Sequence, residues 1–101
     1  MTESEFTQKA TVIFDRIEKA FDNSDIECSP NGPVLEIEFE DGSQIIINRH
    51  SPNKEMWIAA KSGGFHYALQ GEQWLSKRDD SELFSKLAEL VELGSGQTIK
   101  F

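Results

Sequence analysis

The sequence predicts a two-layer α/β sandwich of the α+β class, with two helices packed on one face of an antiparallel sheet. Three observations carry that expectation. Apolar residues recur with a helical period at the start of the chain and again near its end, and the stretch between them alternates apolar and polar residues in short runs divided by Gly, Asn and Asp turns. With 101 residues, 38% of them hydrophobic, there is material for one core, so residues 1–101 are expected to form a single domain.

The first helix is read over Glu3 to Phe21, where Phe6, Ala10, Ile13, Phe14, Ile17, Ala20 and Phe21 share a face. Thr2 followed by Glu5 is a capping-box pattern, and Asp22-Asn23-Ser24-Asp25 ends the helix. Ile26 and Cys28 then alternate with Asp25 and Glu27 in a first strand, which Ser29-Pro30-Asn31-Gly32-Pro33 is expected to turn. Leu35, Ile37 and Phe39 alternate with Glu36, Glu38 and Glu40 up to Asp41-Gly42, a hairpin signal, and Gln44 to Asn48 forms the return strand. Further strands are read from Met56 to Lys61, from Phe65 to Leu69 after Ser62-Gly63-Gly64, and around Trp74 and Leu75 after Gln70-Gly71. Together they make an antiparallel meander. The second helix is expected to open at Asp79, with Glu82 three residues on, to place Leu83, Phe84, Leu87, Ala88, Leu90 and Val91 on one face, and to stop at Gly94. Thr98 to Phe101 is placed along that helix or along the sheet.

Charge narrows the function. The 10 Lys and Arg against 18 Asp and Glu give a net charge of −8, and residues 1–41 alone carry 11 acidic and 3 basic side chains, so the rest of the chain is balanced. A nucleic acid or an anionic membrane surface would be repelled by that field, which leaves cations and basic protein surfaces as partners. The longest apolar run, Met56 to Ala60, is far below the ~20 residues a membrane span requires. Glu3 and Glu5 stand where a targeting segment would be basic, and the single cysteine, Cys28, fits a reducing compartment. A cytoplasmic location is therefore expected.

On the outer face of the first helix Thr11, Asp15, Glu18 and Asp22 form one stripe, and Asp25 and Glu27 share a side of the strand that follows. Asp22 falls at the negative end of the helix dipole, where a cation is favoured. The stripe reads either as a solvated face or as a weak, multivalent oxygen-ligand surface for cations or for a basic partner, without a closed cage. Trp57 takes the strand parity opposite to Met56, Ile58 and Ala60, so it is either covered by a neighbour or is an aromatic anchor on the open sheet face. Trp74 reads as core, His50 and His66 as surface histidines without ligand spacing, and Cys28 as a buried inert thiol. No nucleophile with a base and no phosphate-cradling glycine pattern occurs, so the residues describe a binding module rather than an enzyme.

The order Ile45-Ile46-Ile47-Asn48-Arg49, Pro52, Trp57-Ile58-Ala59 and Ser62-Gly63-Gly64-Phe65-His66-Tyr67 resembles the central signature of the frataxin family in its bacterial form. Ser4-Glu5-Phe6, Asp25-Ile26-Glu27-Cys28, Asn31-Gly32 and the Leu83 to Leu93 segment extend the resemblance over essentially the whole chain. It implies an α-β-α sandwich and weak carboxylate binding of ferrous or ferric iron, with no organic cofactor. It also implies docking onto a cysteine desulfurase and the scaffold protein of iron–sulfur cluster assembly. The family's acidic ridge falls on Glu18, Asp22, Asp25 and Glu27, with Asp15 beside it on the same stripe; its partner-facing residues fall on Trp57, Asn48 and Arg49, with Glu18 and Asp22 shared. The implied protein is a monomer that can oligomerise with iron and that donates iron to, or regulates, cluster assembly. The alternative is an acidic adaptor that recognises a basic protein surface without metal.

Overall fold

The structure, a computed structural model describing residues 1–101, runs α1 (Glu3–Phe21), β1 (Glu27–Asn31), β2 (Val34–Glu38), β3 (Gln44–His50), β4 (Glu55–Ala60), β5 (Gly63–Gln70), β6 (Gln73–Ser76) and α2 (Leu83–Ser95). The strands form one antiparallel sheet in the order β1-β2-β3-β4-β5-β6. Leu35, Ile37, Ile45, Ile47, Met56, Ile58 and Tyr67 on one sheet face join Phe6, Ile13, Ile17, Leu83, Leu87 and Val91 of the helices in a single core. This is the expected sandwich, and no helix covers its second sheet face. No helix is long and apolar enough to cross a membrane.

The first helix keeps its expected bounds because both halves of its capping box form: Glu5 N donates to Thr2 Oγ1 at 3.1 Å and Thr2 N to Glu5 Oε1 at 3.4 Å. After it the strand begins later than the alternation suggests. Ile26 N donates to Ser24 Oγ at 2.9 Å, a bend that keeps Asp25 and Ile26 out of the ladder. The strand then runs through Ser29 and Pro30 to Asn31, and Gly32-Pro33 alone makes the turn, with Gly32 at φ +63°. An edge strand tolerates Pro30, whose missing N–H interrupts no central ladder.

Turn lengths set the registers that bring the candidate residues together. Pairing stops at Glu38 opposite Gln44, so the Asp41-Gly42 hairpin has a five-residue loop, closed by Asp41 Oδ1 accepting from Ser43 N at 2.9 Å. Between β3 and β4 a 3₁₀ turn over Ser51–Asn53, ending on left-handed Lys54, sets Asn48 opposite Trp57. Lys61-Ser62 makes the next turn, and Trp57 therefore pairs with His66.

The second helix departs from expectation at both ends. Asp79 Oδ1 binds Ser81 N at 3.1 Å and Ser81 Oγ at 2.7 Å, and Asp80 turns left-handed at φ 58°, so Asp79 closes a local turn instead of opening the helix. Glu82 is the N-cap, accepting from Phe84 N at 2.8 Å and Ser85 N at 3.1 Å. At the other end Gly94 lies inside the helix against Phe39, and the left-handed C-cap is Gly96 at φ 75°. The C-terminal segment lies along the helices: Phe101 packs on Phe21 and Phe84, and Arg16 donates to its carbonyl oxygen at 2.7 Å.

Candidate functional site

The α1–β1 connection is short, so the end of the helix stripe meets the start of the edge strand. Glu18 and Asp22 of α1 and Glu27 of β1 line one open groove together with Cys28, Ser29 and Pro30. Asp15 is exposed on α1, one turn before Glu18. The ion pairs of the fold, Lys77–Glu55, Lys86–Asp79 and Lys86–Glu89, all lie elsewhere, so no ridge carboxylate is held in an ion pair. Glu27 also sits directly opposite Glu38 across the β1–β2 ladder, a like-charge pair that is eased where Gln44 Nε2 donates to Glu38 Oε1 at 3.0 Å.

Asp25 is not part of that groove. Because the Ser24 bend holds it ahead of the strand, it lines a neighbouring depression with Glu38, Glu40, Asp41, Ser95 and Gln97. The structure thus divides the predicted ridge into two adjoining acidic patches. No group of three or more His, Cys, Asp or Glu side chains converges closely enough to hold a metal ion. Such donors suit hydrated, low-affinity contact with hard cations rather than a closed coordination sphere.

On the open sheet face the registers assemble an aromatic stack that residue spacing did not reveal. The Trp57 indole lies between His50, at 3.7 Å and 9° between planes, and His66, at 4.2 Å and 11°. Its Nε1–H donates to Glu55 Oε1 at 2.9 Å, and Glu55 Oε2 pairs with Lys77 Nζ at 2.7 Å. Trp57 is half-buried, whereas Glu55, although on the open face, is only 4% exposed. Burial alone would push the Glu55 carboxyl up, but bonds from Lys77 and Trp57 and the positive charges nearby outweigh it, leaving the group below its ordinary value. The signal in the sequence was turn length: a two-residue turn at Lys61-Ser62 is what sets His66 beside Trp57.

Residues 1–97 match the family model of the frataxin-like domain. The chain belongs to the frataxin-like family. This frataxin-like chain is 50% identical over 103 residues to the iron-sulfur cluster assembly protein CyaY of Chromobacterium violaceum, an overlap of 100% of this chain and 98% of the relative. It is 47% identical over 102 residues to the protein of that name from Neisseria meningitidis serogroup A, over 99% and 95% of the two chains. Among solved structures, frataxin from Psychromonas ingrahamii matches with a TM-score of 0.94 at 31% identity, over 99% of this chain and 97% of the other. Trimeric frataxin from the yeast Saccharomyces cerevisiae, complexed with ferrous, shares the fold with a TM-score of 0.66 at 22% identity, over 94% and 86%.

The remaining candidates of the frataxin-like domain take separate positions. Asn48 stands on the open face beside Trp57, but the neighbouring Arg49 turns toward the helices, where its guanidinium lies 4.4 Å over the Phe14 ring and donates to Thr11 Oγ1 at 3.1 Å. Arg49 thereby ties β3 to α1 at the start of the acidic stripe. Cys28 faces the core as its parity requires, half-buried, and burial together with the Glu18 and Asp22 charges pushes its thiol up to about 11. Trp74 is core, edge-on to Phe6 at 6.1 Å.

Proposed function

We propose that this protein serves iron–sulfur cluster assembly as a non-enzymatic, iron-binding regulator or iron donor, docking its acidic ridge on a basic surface of a cysteine desulfurase beside the scaffold protein. The observation that carries the reading is the groove in which Glu18, Asp22 and Glu27 meet without an ion-pair partner in the fold. Like charge gathered on one surface lowers stability by self-repulsion and attracts a positive partner. The names of the curated relatives supply the process in which that recognition belongs. Iron enters as weakly held cargo on Asp15, Glu18, Asp22, Asp25 and Glu27, with the protein monomeric until iron bridges copies. Docking extends from Glu18 and Asp22 onto the open face at Trp57 and Asn48, with Arg49 supporting from beneath.

A second reading has its own observation. Because no three ligating side chains converge, the ridge suits an adaptor that binds Arg and Lys of its partner without metal. Anaerobic titration with ferrous iron, following the backbone amides of residues 15–27, separates the two. Saturable shifts at Glu18, Asp22 and Glu27 support iron binding, and unchanged amides at a large excess leave the adaptor. Desulfurase turnover measured with and without the protein, at several iron concentrations, then reports whether iron alters the regulation.

A further inference from the structure

The open face holds a carboxylate that the ridge account does not use. Glu55 projects on the side of the sheet away from the core, yet it is 4% exposed, because Trp57 and Lys77 close over it. Both of its oxygens are committed: Oε1 accepts the indole N–H at 2.9 Å and Oε2 the Lys77 ammonium at 2.7 Å. At 4% exposure and with each oxygen already bonded to a neighbour, it presents almost no surface to a partner or an ion. The stack alone restrains the indole only to a plane, since rings that face one another can slide and rotate within it. A single charge-assisted hydrogen bond at the indole edge fixes the remaining rotation.

We infer that Glu55 is the positioning residue of the docking face, holding Trp57 by its indole N–H in the slot between His50 and His66 while Lys77 anchors the carboxylate. The inference rests on the reading of Trp57 as a docking residue. A pre-set aromatic slab loses little rotamer entropy on binding, and this is the form in which a tryptophan contributes most to an interface. His50 and His66 are the jaws of the slot, on β3 and β5, and Glu55 is its pin, on the same strand as Trp57.

The test combines solvent exchange of the Trp57 indole proton, ring-proton shifts of His50 and His66, and affinity for purified cysteine desulfurase, each measured on the full chain. Hydrogen bonds to charged groups are worth ~1.5–3 kcal/mol, so Glu55→Ala is expected to raise indole exchange about tenfold or more. It should also move the histidine ring protons toward unstacked positions and weaken desulfurase binding about tenfold. Glu55→Gln keeps an acceptor for the indole and should restore stacking and keep affinity within about twofold. In a Trp57→Phe background, Glu55→Ala should change affinity less than about twofold, because the two residues act as a unit. Should Glu55→Ala not fold, Lys77→Met, at an exposed ammonium, releases the carboxylate and should still raise indole exchange. Unchanged exchange and ring shifts in Glu55→Ala, or in Lys77→Met where Glu55→Ala does not fold, would overturn the positioning role, as would an equal affinity loss with and without Trp57. If Trp57→Phe alone leaves affinity unchanged, the docking reading fails, while exchange and ring shifts still decide what Glu55 does.

Discussion

Gly94 of α2 faces the Phe39 ring so closely that a Cβ at this position would lie 2.5 Å from Cε2 and 2.8 Å from Cδ2. Phe39 is buried, and it ends the alternation of β2 where the chain enters the Asp41 loop. The contact therefore sets how near α2 approaches the β2–β3 end of the sheet. Ala in place of Gly inside a helix gains ~1 kcal/mol, whereas overpacking costs ~1–3 kcal/mol. Gly94→Ala is expected to lower stability by about 1 kcal/mol net in urea unfolding. A more stable variant would mean that the Phe39 ring moves aside freely.

Asp22 is the C-cap of α1 in right-handed helical geometry, its N–H bonded to Lys19 O at 3.3 Å, and its side chain faces the ridge groove. A carboxylate there opposes the helix dipole and repels Glu18 and Glu27. Asp22→Asn should raise stability by ~0.3–1 kcal/mol at low salt, with the gain shrinking as salt rises. The same variant should bind ferrous iron less tightly. Denaturant midpoints at two ionic strengths check the first effect, and anaerobic iron titration the second.

The sheet order, the core and the first helix were legible because each rests on a local rule: the Thr2–Glu5 box, the parity of Leu35 and Ile37, the 3.6-residue spacing from Phe6 to Phe21. What was not legible depends on contacts far apart in sequence. Gly94 reads as a helix stop unless Phe39 is known to lie beside it, and Asp79 reads as a cap until Ser81 captures it. Asp25 shares strand parity with Glu27 on paper, but the Ser24 hydroxyl bends the chain and sends it to another patch. His50 and His66 look unrelated at a separation of sixteen residues, and the β3–β4 and β4–β5 turns bring both to Trp57.

Cys28 reports on the ridge field. Its thiol is raised from 9.0 to about 11 by burial and by Glu18 and Asp22, so at pH 8 the thiolate is scarce. Higher intrinsic nucleophilicity of a high-pKa thiolate offsets part of that loss, and alkylation is expected to run about tenfold slower than for a free thiol. Glu18→Gln should speed it. The linkage has a definite sign: a pKa raised on folding contributes stability that is present below 9.0 and is lost as pH rises through about 11. Unfolding midpoints between pH 8 and 11 should fall less in Cys28→Ala than in the wild type.

Docking by a −8 field confined to residues 1–41 implies electrostatic steering. Glu18→Lys should slow association with cysteine desulfurase about tenfold at low salt, while Glu72→Lys, on the β5–β6 turn, should change it little. The difference should close as ionic strength rises, because surface charges are screened beyond ~10 Å at 0.1 M salt. Stopped-flow association rates for the two variants, taken across a salt series, check it.

The central claim, that the acidic ridge and the Trp57 face together form the docking surface, is tested most directly by amide and indole spectra of the isotope-labelled protein as cysteine desulfurase is added. Signals of Glu18, Asp22, Glu27 and Cys28 and the Trp57 indole should shift or broaden together, while those of Leu83 to Ser95 in α2 stay in place. Perturbation confined to α2, with the ridge and Trp57 unchanged at saturation, would contradict it.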